Sequence, residues 1–154
     1  MRTLITTLLI CGALCMNAQD RANFLLRPVG AFSEANAKVL FDDMRSMTVR
    51  TLTCHYTAKS KEISVTSEGG LDMTHMLRSL EKKGWFIALA GPLPDGSPYP
   101  KDYILRSVRE RWLTAHPELR SGTGPVIFMT QKEYDSIPQD KLNGAAASYE
   151  IIIE

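Results

Sequence analysis

Cys54 and His55 stand side by side, and a thiol next to an imidazole invites a metal-ligand or nucleophile reading. Both fall in a stretch, Thr48 to Thr57, rich in Thr and aromatic residues, the composition of a strand. Neighbouring strand residues point to opposite faces, so the pair cannot share one ligand sphere, and the expectation is Cys54 in the core and His55 at the surface. His75 has Asp72 at i−3 and Ser79 at i+4, spacings that bring all three onto one helix face. They are the residue types of a hydrolytic triad, but one short helix face supplies neither the opposed geometry nor the oxyanion donors that acyl transfer needs. A solvated polar face is the simpler reading. Cys54, His55 and His75 together are the alternative metal set. Arg106, Arg109, Arg111 and Arg120 make a basic region able to take an anion or an acidic partner; Glu110 and Glu118 balance it, as on an exposed mixed-charge helix. His116, next to Pro117 and Glu118, suits a helix C-terminus. Tyr99, Tyr103, Trp112 and Tyr134 are of the types favoured at interfaces, and equally of the types that pack one part of a chain on another. Tyr99, Tyr103, Arg106 and Arg109 form the candidate partner-binding set. The chain has no nucleophile elbow, phosphate loop, zinc-protease signature or spaced carboxylate pair. The reading is therefore non-enzymatic, with no catalytic residue, resident metal or cofactor assigned.

The ends and the charge balance set the context. Met1-Arg2 precedes an uncharged apolar run from Thr3 to Met16, and Ala18 offers a small residue for cleavage. That run is short for a bilayer span, which takes about 20 residues, and fits a secretory signal peptide over 1–18. An uncleaved anchor and a lipoprotein are the alternatives; the latter suffers from Ile10 before Cys11 and Leu14 before Cys15. Export, to the periplasm or beyond, is the expectation. Removal of 1–18 takes Arg2 and no acidic residue, leaving the 17 acidic side chains balanced. A neutral chain lacks the basic stripe that nucleic acid demands and the polybasic segment that anionic membranes attract. It also loses Cys11 and Cys15, so Cys54 is the one thiol left and no internal disulfide can form.

The elements that would position these residues can be read from periodicity and punctuation. Asn23–Arg27 is a short apolar strand closed by Pro28 and Gly30. Ser33 can cap a helix whose apolar face is Ala37, Leu40, Phe41, Met44 and Met47. Two strands, Thr48–Thr57 and Glu62–Ser67, flank the polar turn Ala58–Lys61 as a hairpin. Asp72 can cap a second helix with Met73, Met76, Leu77 and Leu80 inward, and Gly84 stops it. Trp85–Ala90 reads as a central strand. Residues 91–102, with Pro92, Pro94, Pro98 and Pro100, are a connector. Beyond it come a helix over Tyr103–Ala115 with Ile104, Leu105, Val108 and Trp112 inward, a strand at Val126–Met129, a capping box at Thr130–Glu133, and a last strand at Ser148–Ile153.

Strand, helix, strand, strand, helix, strand is the split βαβ plan. Val49, Leu52 and Cys54 on one strand, Ile63 and Val65 on the next, Met73, Met76, Leu77 and Leu80 on a helix, and the close Lys83-Gly84-Trp85 resemble the heavy-metal-associated, copper-chaperone-type domain. The resemblance covers about residues 23–90 and implies a ferredoxin-like fold. In that family a Cys-x-x-Cys in the loop after the first strand holds the metal. Here the loop, Arg27 to Asn36, has neither cysteine nor histidine, and soft monovalent copper needs sulfur ligands, so metal transfer is not carried over. The expected architecture is α+β: a ferredoxin-like βαββαβ sandwich over 19–90, two helices on one face of an antiparallel sheet, with an α/β extension over 103–154 packed on the same domain. The expected role is a binding or interaction module of the cell envelope with a protein or peptide partner, and self-association through an edge strand is a further expectation. The alternatives are a metal-binding protein with relocated ligands and, behind it, a hydrolase without a recognisable motif.

Overall fold

The computed structural model describes residues 21–146 and 149–154; the leader expected over 1–18 lies outside them. Its class is α+β, a four-stranded antiparallel sheet with several helices. Strand β1 (Arg21–Pro28) runs through the middle, pairing with β3 (Glu62–Glu68) on one side and β4 (Ile87–Leu89) on the other. Strand β2 (Leu52–Thr57) adds outside β3, so the order is β2-β3-β1-β4.

Helix α1 (Glu34–Ser46) begins where Ser33 predicts, with a capping box in which Asn36 answers Ser33. Helix α2 (Met73–Glu81) begins at Asp72, whose carboxylate accepts the backbone N–H of His75 at 2.8 Å. The alternating register sends Phe24 and Leu26 of β1 and Ile63, Val65 and Ser67 of β3 to the side covered by the helices. There they meet Leu40 and Met44 of α1 and the four inward residues of α2 in one buried cluster. Three side chains cross-link the helix layer. The Asp43 carboxylate accepts from Lys83 Nζ at 2.6 Å and from the Trp85 indole at 2.8 Å. These bonds hold its carboxyl below the usual aspartate range.

The second strand is shorter than expected. Thr48 Oγ1 accepts the backbone N–H of Arg50 at 3.0 Å, a local turn that competes with the ladder. Val49, a residue of the family resemblance, is therefore fully exposed before the strand starts. Cys54 is half-buried rather than sealed in the core, because β2 is an edge strand.

The C-terminal part opens with a 3₁₀ turn at Lys101–Tyr103 and continues into α3 (Leu105–Ala115), which starts two residues later than the periodicity predicts. Both pack against β4. Tyr103 and Val108 join the main core, whereas Ile104, expected inward, is exposed. Trp112 lies over Gly30, whose φ of +86° and lack of a side chain let the indole approach. Strand β5 (Val126–Met129) and β6 (Glu150–Ile153) pair with each other in parallel as a second, two-stranded sheet. Two short helices connect them: α4 (Gln131–Ser136), with the predicted Thr130–Glu133 capping box, and α5 (Gln139–Ala146).

Candidate functional site

A groove of about 1410 Å³ lies between α3 and β5. Leu105 and Leu113 come from α3, Val126 and Phe128 from β5, and together they supply apolar lining beside the polar Thr114, Ser121 and Thr123. The loop Ser121–Pro125, with two glycines and a proline, forms one end. Three arginines line the groove, and each is engaged. Arg109 lies 4.5 Å from the centroid of the Phe128 ring, a cation–π distance, and its guanidinium donates to both carboxylate oxygens of Glu154. Arg120 donates to Glu150 at 3.3 Å and to the Gly124 carbonyl at 2.7 Å. Arg106 pairs with Glu110 along the exposed helix face. Burial pushes the Glu150 carboxyl up, but the backbone N–H groups of Ser121 and Gly122, the Arg120 guanidinium and the Ser121 hydroxyl outweigh it and leave the group below its ordinary value. The groove thus combines apolar side chains with cations that are each paired to a carboxylate.

A second, smaller hollow of about 760 Å³ lies between α2 and α3. Its centre is Arg111, which forks onto Glu81 at 2.6 and 3.0 Å, donates to the Asp102 carbonyl at 2.7 Å, and sits 5.2 Å from the Tyr103 ring centroid. Glu81 raises the guanidinium further above its usual value. Burial, seconded by the Glu81 charge, pushes the Tyr103 phenol up. This arrangement binds the C-terminal part to α2 and brings no nucleophile to a base.

The four residues of the expected partner-binding set are separated. Arg106 and Arg109 line the groove, Tyr103 is buried at the α2–α3 contact, and Tyr99 packs half-buried against the main core. The polar trio on α2 is committed to the backbone: Asp72 caps the helix, and Ser79 donates to the His75 carbonyl at 3.1 Å. Neither side chain meets the imidazole. Cys54 shares the helix-covered side with Val65, while His55 stands opposite the exposed Ser64 on the other face. Among the described residues no three His, Cys, Asp or Glu side chains gather to hold a metal ion. His116 ends α3 and stacks near Trp112 and Phe86, with Nδ1 3.1 Å from Glu118. Sequence reasoning missed Leu113, Val126 and Phe128 as a shared lining, and Glu81, Glu150 and Glu154 as arginine partners. The i, i+2 spacing of Val126 and Phe128 was the available signal for one wall. The chain matches no family model, no curated protein and no solved structure with which it was compared.

Proposed function

We propose that this chain is an exported, non-enzymatic binding module, and that it takes an extended segment of a protein or peptide partner into the groove between α3 and β5. The observation that carries the reading is the groove itself: four apolar side chains on a helix and a strand, beside arginines whose charges are already matched. Strand β5 pairs only with β6 among the described residues, so its other edge carries backbone donors and acceptors that no described strand pairs. An extended segment can add to such an edge while its alternate side chains meet the apolar lining. Residues 21–90 are read as a ferredoxin-like unit; the order β2-β3-β1-β4, antiparallel at every pairing, supports this. The apolar leader supports export to the periplasm or beyond, and no helix among the described residues is long and apolar enough to cross a membrane.

The test is a random-peptide display selection on the purified protein, followed by fluorescence anisotropy with the enriched peptide. Leu105→Asp and Val126→Asp, each changing a half-buried lining residue, are expected to weaken binding at least about tenfold, the equivalent of about 1.4 kcal/mol, with circular dichroism unchanged. Failure to enrich any sequence, or affinity indifferent to both variants, overturns the proposal.

A further inference from the structure

The two edges of the four-stranded sheet are treated differently. Strand β4, only three residues long, has α3 and the Lys101–Tyr103 turn packed against it. Strand β2 is the other edge. The Glu68 backbone N–H donates to the Thr51 carbonyl at 3.1 Å. In an antiparallel ladder hydrogen-bonded pairs alternate with non-bonded ones. With Leu52 opposite Ser67, this places Thr53, Ser64's partner His55, and Thr57 in the pairs bonded to β3. The N–H and C=O groups of Leu52, Cys54 and Tyr56 therefore point away from the sheet, and no backbone group of the described residues bonds them.

Exposed edges are normally blunted by lysine, proline, a bulge or an inward charge. The strand Leu-Thr-Cys-His-Tyr-Thr has no Lys, Arg, Asp, Glu or Pro, and it pairs with β3 in unbroken register over all six residues. It is also self-complementary. Turned about a two-fold axis at Cys54, a second copy sets Cys54 opposite Cys54, Leu52 opposite Tyr56, and Thr53 opposite His55. In that register the three outward N–H and three outward C=O groups of each strand all find partners, six main-chain hydrogen bonds in total. The axis is perpendicular to the sheet, so Leu52, Cys54 and Tyr56 of both copies lie on the helix-covered side and the Thr and His side chains on the other. No formal charge opposes its like within the six residues.

We infer that β2 is the docking edge for a second copy of this chain, which joins antiparallel about Cys54 to form a continuous eight-stranded sheet. The occupant is another copy because the registration that satisfies every outward group is the symmetric one, as a closed two-fold interface requires. The inference concerns the opposite edge of the sheet from the groove and does not rest on the peptide-binding reading.

The test uses protein produced from the full chain. Sedimentation at about 10 and 200 μM is expected to show a concentration-dependent dimer. Cys54→Ala keeps it, because the contacts are main-chain. Cys54→Pro removes an outward N–H without touching the ladder to β3, and Thr53→Lys places a charge on the edge; each is expected to shift the dimer to monomer while circular dichroism is retained. Register is read by oxidation. Cα atoms of a hydrogen-bonded antiparallel pair are about 5.5 Å apart, within reach of a disulfide. Added diamide, taking two electrons and two protons from the two thiols, is expected to join two chains through Cys54, and the product is absent in Cys54→Ala. Thr53→Cys in the Cys54→Ala background is expected to cross-link at least about tenfold more slowly, since residue 53 faces residue 55. A monomer at 200 μM, a dimer untouched by both edge variants, or faster cross-linking through position 53 overturns the inference.

Discussion

Arg111 offers the sharpest test of how the C-terminal part is held. Its guanidinium makes a two-pronged contact with Glu81, reaches the carbonyls of Asp102 and Ser107, and lies on the Tyr103 ring. The side chains of Arg111 and Glu81 are 34% and 22% exposed, between the surface pair worth about 0.2–1 kcal/mol and the buried pair whose breakage costs about 3–5 kcal/mol. Arg111→Ala is therefore expected to cost about 2 kcal/mol, which in a domain of this size lowers Tm by about 8 °C. Part of that loss belongs to the carbonyls and the ring, so the double-mutant cycle with Glu81→Ala should give a coupling of about 1 kcal/mol. Arg106→Ala is the control. Its side chain is 87% exposed in an i, i+4 pair with Glu110, and its loss should stay within about 0.5 kcal/mol. Thermal and urea denaturation of the wild type and the four variants measure all of this. A Tm for Arg111→Ala equal to that of Arg106→Ala, or a coupling below about 0.3 kcal/mol, would refute the reasoning.

Gly30→Ala places a Cβ 2.7 Å from Trp112 Cζ2 at a φ of +86°, while Gly84→Ala has a similar φ of +90° with nothing within 4 Å. Left-handed backbone alone costs about 1–2 kcal/mol, so Gly84→Ala should lose about that much and Gly30→Ala at least about 1 kcal/mol more; equal losses in urea melts would contradict the Trp112 packing. Ser67 is fully buried with no partner for its hydroxyl among the described residues. Removing an unsatisfied group relieves its desolvation cost, so Ser67→Ala should leave stability unchanged or raise it by about 0.5 kcal/mol, and a loss above about 1 kcal/mol would reveal a missed partner. Lys83 and then Trp85 lower the Asp43 pKa from 3.8. A carboxyl depressed on folding stabilises above its unfolded pKa and loses that contribution as pH falls through the folded value. The penalty for Asp43→Asn should thus be constant from about pH 7 to 5 and shrink below about pH 4; Trp85 fluorescence in urea at each pH reads it, and a penalty that grows in acid would reverse the assignment.

What the sequence made legible was local chemistry with a fixed spacing. Ser33, Asp72 and Thr130 announce three helix starts because capping acts over three residues. The inward faces of α1 and α2 follow from 3.6-residue periodicity because each packs on one side only. Helix α3 packs on two sides, Val108 toward the main core and Leu113 toward the groove, so its apolar stripe is wide and its expected face was misjudged at Ile104. Among the described side chains of helix α5 only Leu142 is buried, and the helix carries Gly144, leaving hardly any periodicity to read. The arginines looked like a solvated face because their partners are distant: Arg111 meets Glu81 across 30 residues and Arg109 meets Glu154 across 45. No spacing rule reaches that far. The groove was invisible for the same reason, since its two walls meet only through tertiary packing.

The placement of α3 links the two surfaces. Its Arg111 is tied to α2, its Trp112 covers the turn after β1, and its Arg109 anchors the end of β6. One helix thus packs against β4, the end strand of the main sheet, and forms a wall of the groove. An open β4 edge would compete with β2 for any added strand, since both present unpaired backbone groups. Covering one edge makes sheet extension one-directional, a condition for a closed pair rather than an open filament. Because β2 and β4 lie at opposite ends of the strand order, pairing through β2 leaves the groove beside α3 unobstructed on each copy. Two grooves are then carried by one assembly, and a partner displaying two segments would gain from their linkage without any new contact. Thr53→Lys, by separating the copies, should therefore lower apparent affinity for a surface coated with the selected peptide while leaving affinity for the free peptide unchanged. Equal loss on both formats would mean that the edge and the groove are coupled through the fold rather than through valency.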